Sequence, residues 1–354
     1  MSDKKLFFYD INEDISTYKF TRNSYEKIGL IGKGSFSKVF LVKKLDEENV
    51  GDSNYFCLKV NKRYDFIKKN RGTFNNENVL IPNIDSDKSN EISTVELREL
   101  MILKKISNHH NMNLVNLIDV QLTKKETWLL IEYLPTDLEK FFNENTQNQK
   151  VMNEKFLQNI AYQTLNGLKK LHELKIIHRD IKLTNIFFDD KKNIAKIGDF
   201  GLSRMFDYSL DSKYSIAGTF AYQPPEILLG SRQYSTSFDI WSLGCVLVEI
   251  VTNRNLFGEE TPQGVLKLIY DIFGSFNQNV LPGFDKFPNS NLIVNLPEKN
   301  GIGLINYIKA NQKFNFENED FYDFIKKMLY LDPTRRMSAK DCLNHPWLKQ
   351  FKKL

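Results

Sequence analysis

Strand-like segments fill the first third of this chain and helix-like segments fill the rest, and this separation restricts the fold more than any other feature. Short apolar runs at residues 28–30, 39–42, 55–60 and 127–133 are typical of strands. A single helical pattern, which starts at Thr94, interrupts them. After Pro135 helical spacing dominates. Strands followed by helices favour an α+β fold with two lobes that join near Pro135.

Composition places the chain among ordinary globular proteins. Its 354 residues suit two domains, or one domain with two lobes, at ~150 residues per domain. Hydrophobic residues make up 41% and charged residues 26%, which excludes wholesale disorder and a fibrous class. The net charge of +5 is too small to indicate a dedicated nucleic-acid binder. We therefore expect no direct nucleic-acid partner.

Cysteine usage and hydropathy point to a reducing compartment away from membranes. Cys57, Cys245 and Cys342 lie far apart, which favours free thiols over a zinc site or a disulfide framework. The first residues lack the apolar run of a signal peptide, and no later run reaches the ~20 apolar residues of a membrane span. The expected location is cytoplasmic, nuclear or both, with no membrane partner.

Two polar features occur within the strand-rich part. Gly32 and Gly34 stand between two strands, where their backbone can approach a phosphate closely. A plain hairpin turn would also explain them, and Ser37 replaces a third glycine of the usual phosphate-binding pattern. Lys59 lies inside an apolar strand and needs a partner if it is buried. Glu99, on the predicted helix, is a candidate for that partner, although a surface-facing lysine is equally compatible with the sequence.

The helix-rich part carries the more specific motifs. Residues 178–185 (HRDIKLTN) place an aspartate, a lysine and an asparagine in one loop. Such a cluster can orient a hydroxyl, neutralise phosphate charge and hold Mg²⁺ through oxygen atoms. Asp199-Phe-Gly201 follows a second apolar strand, and a carboxylate there suits a hard cation.

Taken in order, these motifs resemble those of the eukaryotic protein kinases. The resemblance covers about residues 25–350. It implies a bilobal protein kinase fold, with a small strand-rich N-lobe that has one major helix and a larger helical C-lobe. The predicted parts are an N-terminal extension (1–24), the N-lobe (25–134, with a polar insertion at 61–92), the C-lobe (135–350) and a tail (351–354).

The resemblance implies a role for each matching residue. Asp180 should position the substrate hydroxyl and accept its proton, with Lys182 beside it. Asn185 and Asp199 should hold Mg²⁺. Lys59, paired with Glu99, should hold the phosphates of ATP. The other expected ATP-binding residues are Ile31, Gly32, Lys33, Gly34, Ser35, Val39, Cys57, Ile131, Glu132, Leu134 and Asp137, with Ile186 or Phe187 beneath the adenine.

Further motifs are similar to those of the cyclin-dependent-kinase-like (CMGC) group. Residues 94–99 (TVELRE) are similar to the helix by which those enzymes bind cyclins, and residues 225–230 and 239–245 match closely. Lys182 and Thr219 favour serine/threonine over tyrosine substrates. The resemblance therefore implies an ATP- and Mg²⁺-dependent serine/threonine kinase that acts on protein substrates. It permits a cyclin-type regulatory subunit.

The same resemblance suggests control by phosphorylation of the activation loop. Arg98, Arg179 and Arg204 stand where this family gathers arginines around a loop phosphate, and gathered arginines favour an anion. Alignment with cyclin-dependent kinases puts Tyr214 at the acceptor position, whereas alignment with other serine/threonine kinases puts Ser215 there. We favour Ser215. Acidic side chains of the loop or a bound anion would also satisfy the arginines.

Three departures from the group's pattern limit what it implies. Gln223 replaces an arginine that helps those enzymes prefer proline after the target residue, so this preference is in doubt. Phe36 replaces their inhibitory tyrosine. The insertion at 61–92 precedes the cyclin-binding helix and is either a plain polar expansion or a change to that contact. The alternatives to a partner-controlled kinase are a pseudokinase scaffold, which the intact motifs oppose, and a partner-independent kinase of a neighbouring branch.

Overall fold

The computed structural model describes residues 17–20, 23–33, 37–45, 54–62, 94–123, 126–145, 153–206, 219–313 and 317–353. These residues form two compact units. The first unit contains the described residues up to His110 together with Val115–Tyr133, and the second contains Asn111–Leu114 and the described residues from Leu134 onward.

The first unit is a six-stranded antiparallel sheet with one helix. Its order is β1-β2-β3-β4-β6-β5, so β1 and β5 are the edge strands. Helix α1, Thr94–Ser107, packs against β5. The strands are β1 Thr17–Phe20, β2 Asn23–Lys33, β3 Ser37–Lys44, β4 Tyr55–Lys62, β5 Leu117–Leu122 and β6 Glu126–Glu132.

Alternation of side chains along the central strands creates two different sheet faces. One face carries an apolar core cluster made by Tyr25, Phe40, Val42, Leu58, Val60 and Leu130. The intervening residues of β4, Cys57 and Lys59, therefore lie on the opposite face. The alternation along β4 thus places Leu58 and Val60 in the core and Lys59 on the opposite face of the sheet.

The second unit is mainly helical. Its helices are α2 Leu138–Asn145, α3 Glu154–Glu173, α4 Pro225–Leu228, α5 Ser237–Thr252, α6 Pro262–Phe273, α7 Asn291–Val294, α8 Leu304–Asn311, α9 Glu319–Met328 and α10 Ala339–Asn344. Its short strands are β7 Thr136–Asp137, β8 Ile176–Ile177, β9 Ile186–Asp189, β10 Ile194–Ile197 and β11 Arg204–Met205. The strands pair as β10-β9-β7 and β11-β8. No helix among the described residues is long and apolar enough to span a bilayer.

Helix α5 is the centre of the second unit. It is buried along almost its whole length, as expected for a helix whose residues are predominantly apolar. Asn253 ends it in the left-handed conformation, with φ of 51°. This rigid central helix positions the loops that carry the motifs.

Residues 111–114 belong to the second unit although the chain on both sides of them belongs to the first. Leu114 forms a parallel bridge with Ile197, and the Asn113 side chain donates to the Ala195 carbonyl at 3.0 Å. Gly167 lets helix α3 lie close to residues 113–114, because a Cβ at this position would lie 2.8 Å from the Asn113 carbonyl oxygen.

The α+β bilobal prediction is confirmed, with strands in the first unit and helices in the second. Several predicted segment boundaries differ from the structure. β1 and the start of β2 lie inside the predicted extension 1–24, because Thr17 pairs with Glu26. β4 continues to Lys62, inside the predicted insertion 61–92, because it pairs there with β6. A 3₁₀ helix over Pro346–Lys353 takes in most of the predicted tail.

Candidate active site

In the first unit, the structure brings together the predicted lysine and glutamate. Lys59 Nζ lies 2.6 Å from Glu99 Oε1, which joins β4 to α1. Glu99 is buried and the lysine side chain is 18% exposed. The Lys59 side chain is therefore not a surface-facing one, which was the alternative that the sequence allowed. A lysine held in this way presents its charge at a fixed position, as binding of phosphate requires.

Four predicted nucleotide-binding residues share the sheet face of Lys59. Val39 is the cross-strand partner of Lys59, Ile131 is that of Cys57, and Gly32 pairs with Val39. Cross-strand partners point to the same side of an antiparallel sheet. Burial raises the pKa of the Cys57 thiol to about 12, so this cysteine acts as a neutral, apolar wall. This apolar face suits a flat apolar ring, and the charge of Lys59 on the same face suits a phosphate.

Two other predicted nucleotide-binding residues, Glu132 and Asp137, form hydrogen bonds within the protein. The backbone N–H of Glu132 donates to the Asn116 carbonyl at 3.0 Å, and the Glu132 carboxylate accepts from the Asn116 side chain. In the second unit, Asp137 caps α2, because its carboxylate accepts from the backbone N–H of Lys140 at 2.9 Å. Ile31 and Lys33 lie in β2, and Leu134 begins the second unit. Gly34 and Ser35 lie outside the described residues.

In the second unit, the motif of residues 178–185 forms one compact polar cluster. Asn185 Nδ2 donates to Asp180 Oδ2 at 2.8 Å, and Lys182 Nζ lies 3.0 Å from the same oxygen. Lys182 also donates to the Thr219 hydroxyl at 3.1 Å. The Asp180 carboxylate is thereby fixed by two neighbours that come from its own loop.

Asn185 and Asp199, the predicted metal ligands, lie close together. The backbone N–H of Gly198 donates to the Asn185 carbonyl at 3.0 Å, which sets the loop of Asp199 beside Asn185. The Asn185 amide nitrogen makes both hydrogen bonds to Asp180, so its side-chain oxygen is turned away from them. A carboxylate and an amide oxygen suit Mg²⁺, which usually takes one or two carboxylates together with substrate phosphates.

A buried carboxylate anchors the loop of residues 178–185 to helix α5. Asp239, wholly buried, accepts from the backbone N–H groups of His178 and Arg179 and contacts His172 Nε2, each at 2.9 Å. Burial alone would raise the pKa of Asp239, but the hydrogen bond and charge of His172, with the Arg179 N–H, lower it overall. Asp239 therefore remains an acceptor that holds the loop. Arg179 (φ 71°) and Asp199 (φ 58°) both adopt the left-handed conformation.

Two further carboxylates of the second unit have side-chain partners. Arg336 makes two 2.7 Å bonds to the Glu226 carboxylate, and both residues are buried. Tyr222 donates to Glu249 at 2.6 Å. Burial raises the pKa of Glu249 to about 7, opposed by this hydrogen bond and assisted by the charge of Glu139. The sequence interpretation missed Glu249 and His172, because neither has a spacing that distinguishes it from other helical residues.

The predicted phosphate-binding arginines are divided between the units. Arg98 lies on α1 of the first unit. In the second unit, Arg179 packs over the Tyr234 ring at 4.4 Å, and Arg204 lies in β11, which pairs with β8 two residues before Arg179. The predicted acceptors, Tyr214 and Ser215, lie outside the described residues. The role of the arginines stays a prediction.

The family comparison identifies the class of protein to which these clusters belong. Residues 25–348 match the model of the protein kinase domain, so the chain belongs to the protein kinase family.

Within that family, the chain is similar to the cyclin-dependent kinases. It is 30% identical to cyclin-dependent kinase B2-1 of Oryza sativa subsp. japonica over 332 residues, which covers 93% of this chain and 91% of that protein. The predicted resemblance to the cyclin-dependent-kinase-like group is confirmed. A protein kinase domain implies the use of ATP, typically with Mg²⁺, and of protein substrates.

Proposed function

We propose that this chain transfers the terminal phosphate of ATP to serine and threonine hydroxyls of proteins. The observation that carries this proposal is the cluster in which Asn185 and Lys182 both contact one oxygen of Asp180. The contact between Lys182 and Thr219 favours serine/threonine specificity, in agreement with the sequence.

Each residue of the cluster has a distinct part in this reaction. Asp180 orients the substrate hydroxyl and accepts its proton. Lys182, beside it, neutralises negative charge that develops on the phosphoryl oxygens. Because phosphoryl transfer has a loose transition state, these residues act mainly by positioning and by charge.

The kinase motifs assign residues within each unit to the nucleotide or to the metal. Lys59, fixed by Glu99, would contact the phosphates of ATP, and Asn185 and Asp199 would hold Mg²⁺ through oxygen. Magnesium supplies positive charge that offsets the charge of the phosphates. The face made by Val39, Cys57 and Ile131 would contact the adenine.

Phosphotransfer to a mixed peptide library tests the specificity directly. The purified chain, Mg²⁺ and ATP would be incubated with peptides that contain serine, threonine or tyrosine, and modified residues would be identified by mass spectrometry. We expect phosphate on serine and threonine. Asp180→Asn serves as the control for contaminating kinases. Transfer mainly to tyrosine, or no transfer by a folded chain with or without its native partners, contradicts the proposal. The same library reports whether proline after the acceptor is preferred.

A cyclin-type partner is proposed to dock on α1. Val95, Leu97 and Met101 are apolar residues that α1 leaves about half exposed. Leu97→Glu should remove a stoichiometric cyclin-fold subunit that copurifies from the native source. Ile302→Glu, which changes an exposed apolar residue of the second unit, is the matched control. Full activity of the purified chain alone would favour the partner-independent alternative.

Control by loop phosphorylation is a separate proposal. It is supported by the three arginines, of which Arg179 and Arg204 lie on neighbouring segments. A phosphopeptide map of the active enzyme should show phosphate on Ser215, or on Tyr214 instead. A map without phosphate from Ser209 to Thr219 contradicts it. The cytoplasmic or nuclear location stays a prediction.

A further inference from the structure

Strand β10 leads directly to Asp199, one of the two predicted magnesium ligands. It pairs with β9 on one side and forms the edge of its three-stranded sheet on the other. Ala195 and Ile197 of β10 are both buried. Backbone groups on a buried strand edge need hydrogen-bond partners, because water does not reach them. The partners of this edge therefore decide where the strand lies.

Two side chains and one carbonyl supply these partners in place of a neighbouring strand. The Ala195 N–H donates to Gln163 Oε1 at 2.8 Å, and the Ala195 carbonyl accepts from Asn113 Nδ2 at 3.0 Å. The Ile197 N–H donates to the Asn113 carbonyl at 2.9 Å. The outer edge of β10 is thus held by α3, which carries Gln163, and by residues 111–114.

Gln163 is the centre of this arrangement, because both ends of its amide are bonded. Its oxygen accepts from the Asn113 side chain at 3.0 Å as well as from Ala195. Its nitrogen donates to the carbonyl of Asn193, an exposed residue, at 2.9 Å and to Asn159 Oδ1 at 3.1 Å. The oxygen thus holds the buried edge of β10, whereas the nitrogen bonds to residues nearer the surface. The two ends of the amide can therefore be tested separately.

The position of β10 fixes the backbone that carries Asp199. Gly198 alone separates Ile197 from Asp199, and the Gly198 N–H donates to the Asn185 carbonyl at 3.0 Å. A displacement of β10 would therefore shift the Asp199 carboxylate relative to Asn185, the other predicted ligand. Displacements of about 1 Å in an active site can cost about a hundredfold in activity.

We propose that Gln163 is a positioning residue for the magnesium site. Its oxygen, together with Asn113, holds β10 where Asp199 lies beside Asn185, so that loss of these bonds lowers the affinity for Mg²⁺. Residues behind the direct ligands change metal affinity by about 10–100-fold when they are mutated. This inference rests on the proposed function, in which Asn185 and Asp199 hold Mg²⁺. It adds the residue that keeps these two ligands together.

Magnesium-dependent binding of nucleotide to the full chain tests this role without relying on activity. A non-hydrolysable ATP analogue is titrated by calorimetry at increasing Mg²⁺, which gives the Mg²⁺ concentration at half-maximal nucleotide affinity. Gln163→Met removes the bonds at both ends of the amide, and this concentration should rise about tenfold. Affinity for the analogue without Mg²⁺ should stay the same, since Gln163 acts through Asp199.

Two further variants separate the two ends of the amide. Asn159→Ala removes one partner of the Gln163 nitrogen and leaves the oxygen in place, so the Mg²⁺ requirement should not change. Gln163→Glu keeps an oxygen that can accept from Ala195, with its second oxygen toward the exposed Asn193, so the Mg²⁺ requirement should stay near that of the wild type. A tenfold rise in either variant overturns the inference, because the positioning would then not come from the oxygen.

The same titration separates failure of this inference from failure of the proposed function. Nucleotide binding by the wild-type chain that does not depend on Mg²⁺ contradicts the proposed function and, with it, the inference. Magnesium-dependent binding by the wild type with the same requirement in Gln163→Met contradicts the positioning role alone. Gln163→Asn, one methylene too short to reach β10, takes the place of the methionine variant if that variant does not fold.

Discussion

The two units hold the charges of their predicted catalytic residues in different ways. In the first, Lys59 forms an ion pair with Glu99, which joins a strand to a helix. In the second, Asp180 is fixed by Asn185 and Lys182, and its loop is anchored by the buried Asp239. The Glu226–Arg336 pair adds a second buried anchor.

This difference indicates where the enzyme can be regulated. An ion pair between two elements breaks when the helix moves, so a partner that binds α1 would be able to control Lys59. A loop that is held by several buried contacts resists such movement. We therefore infer that the second unit keeps its geometry while the first responds to partners.

The largest expected effect comes from the catalytic aspartate. Asp180→Asn should lower kcat about a thousandfold, because the variant cannot accept the hydroxyl proton. ATP affinity should change little, since Asp180 does not hold the nucleotide. Steady-state kinetics and nucleotide titration measure the two effects. Asp320→Asn, on an exposed part of α9, is the control. Near-normal turnover would show that Asp180 lacks the assigned role.

The next effect concerns the buried anchor of the second unit. Arg336→Leu should lower the free energy of unfolding by about 3–5 kcal/mol, because it leaves the buried Glu226 carboxylate without its ionic partner. Urea denaturation measures this loss. Lys169→Met, which breaks the exposed pair with Glu173, should cost less than about 1 kcal/mol. Similar losses in both variants would remove the contrast between anchored and exposed charges.

The ion pair of the first unit should affect catalysis more than stability. Glu99→Gln should lower kcat/KM about a hundredfold, because Lys59 loses its fixed position relative to the phosphates. Its stability loss should be smaller than that of Arg336→Leu, since the Lys59 side chain reaches solvent. Both quantities can be measured on the same sample, with Lys104→Gln on the same helix as control. A stability loss equal to that of Arg336→Leu would mean that both units are anchored alike.

The smallest predicted effect depends on pH. Burial raises the pKa of Glu249 from 4.5 to about 7, so the folded state binds its proton more tightly than the unfolded state. The carboxylate therefore costs stability as pH rises from 4.5 to 7. Glu249→Gln should stabilise the protein by about 2 kcal/mol at pH 8. The gain should vanish below pH 4.5.

Unfolding at pH 4.5 and pH 8 measures this difference, with the exposed Glu260→Gln as control. A gain that is the same at both pH values would show that burial of the Glu249 carboxylate is not its cause.

The sequence predicted the parts of the site that are local in the chain. Residues 178–185 form their cluster within one loop, and the spacing of Asp180, Lys182 and Asn185 is itself the signal. Lys59 and Glu99 were a weaker prediction, because they lie far apart and the sequence allowed an exposed lysine. His172 and Glu249 gave no signal, since their roles depend on how α3 and α5 pack.

The boundaries of the strands were harder to predict, because they also depend on contacts between segments that are distant in the chain. β1 is only four residues long and the end of β4 is polar, and the strand character of both comes from pairing with β2 and β6. Such pairing is a long-range property that local composition does not report.

The position of residues 111–114 has a consequence for dissecting the enzyme. Neither unit is one continuous stretch of chain, because the polypeptide passes between them three times. A fragment that begins at Leu134 would lack Leu114 and Asn113, and with them the bridge to Ile197 and the bond to Ala195. Cutting the chain after Tyr133 would not produce two self-sufficient pieces. Separate production of the second unit requires residues 111–114 to be supplied in some other way, for example by circular permutation.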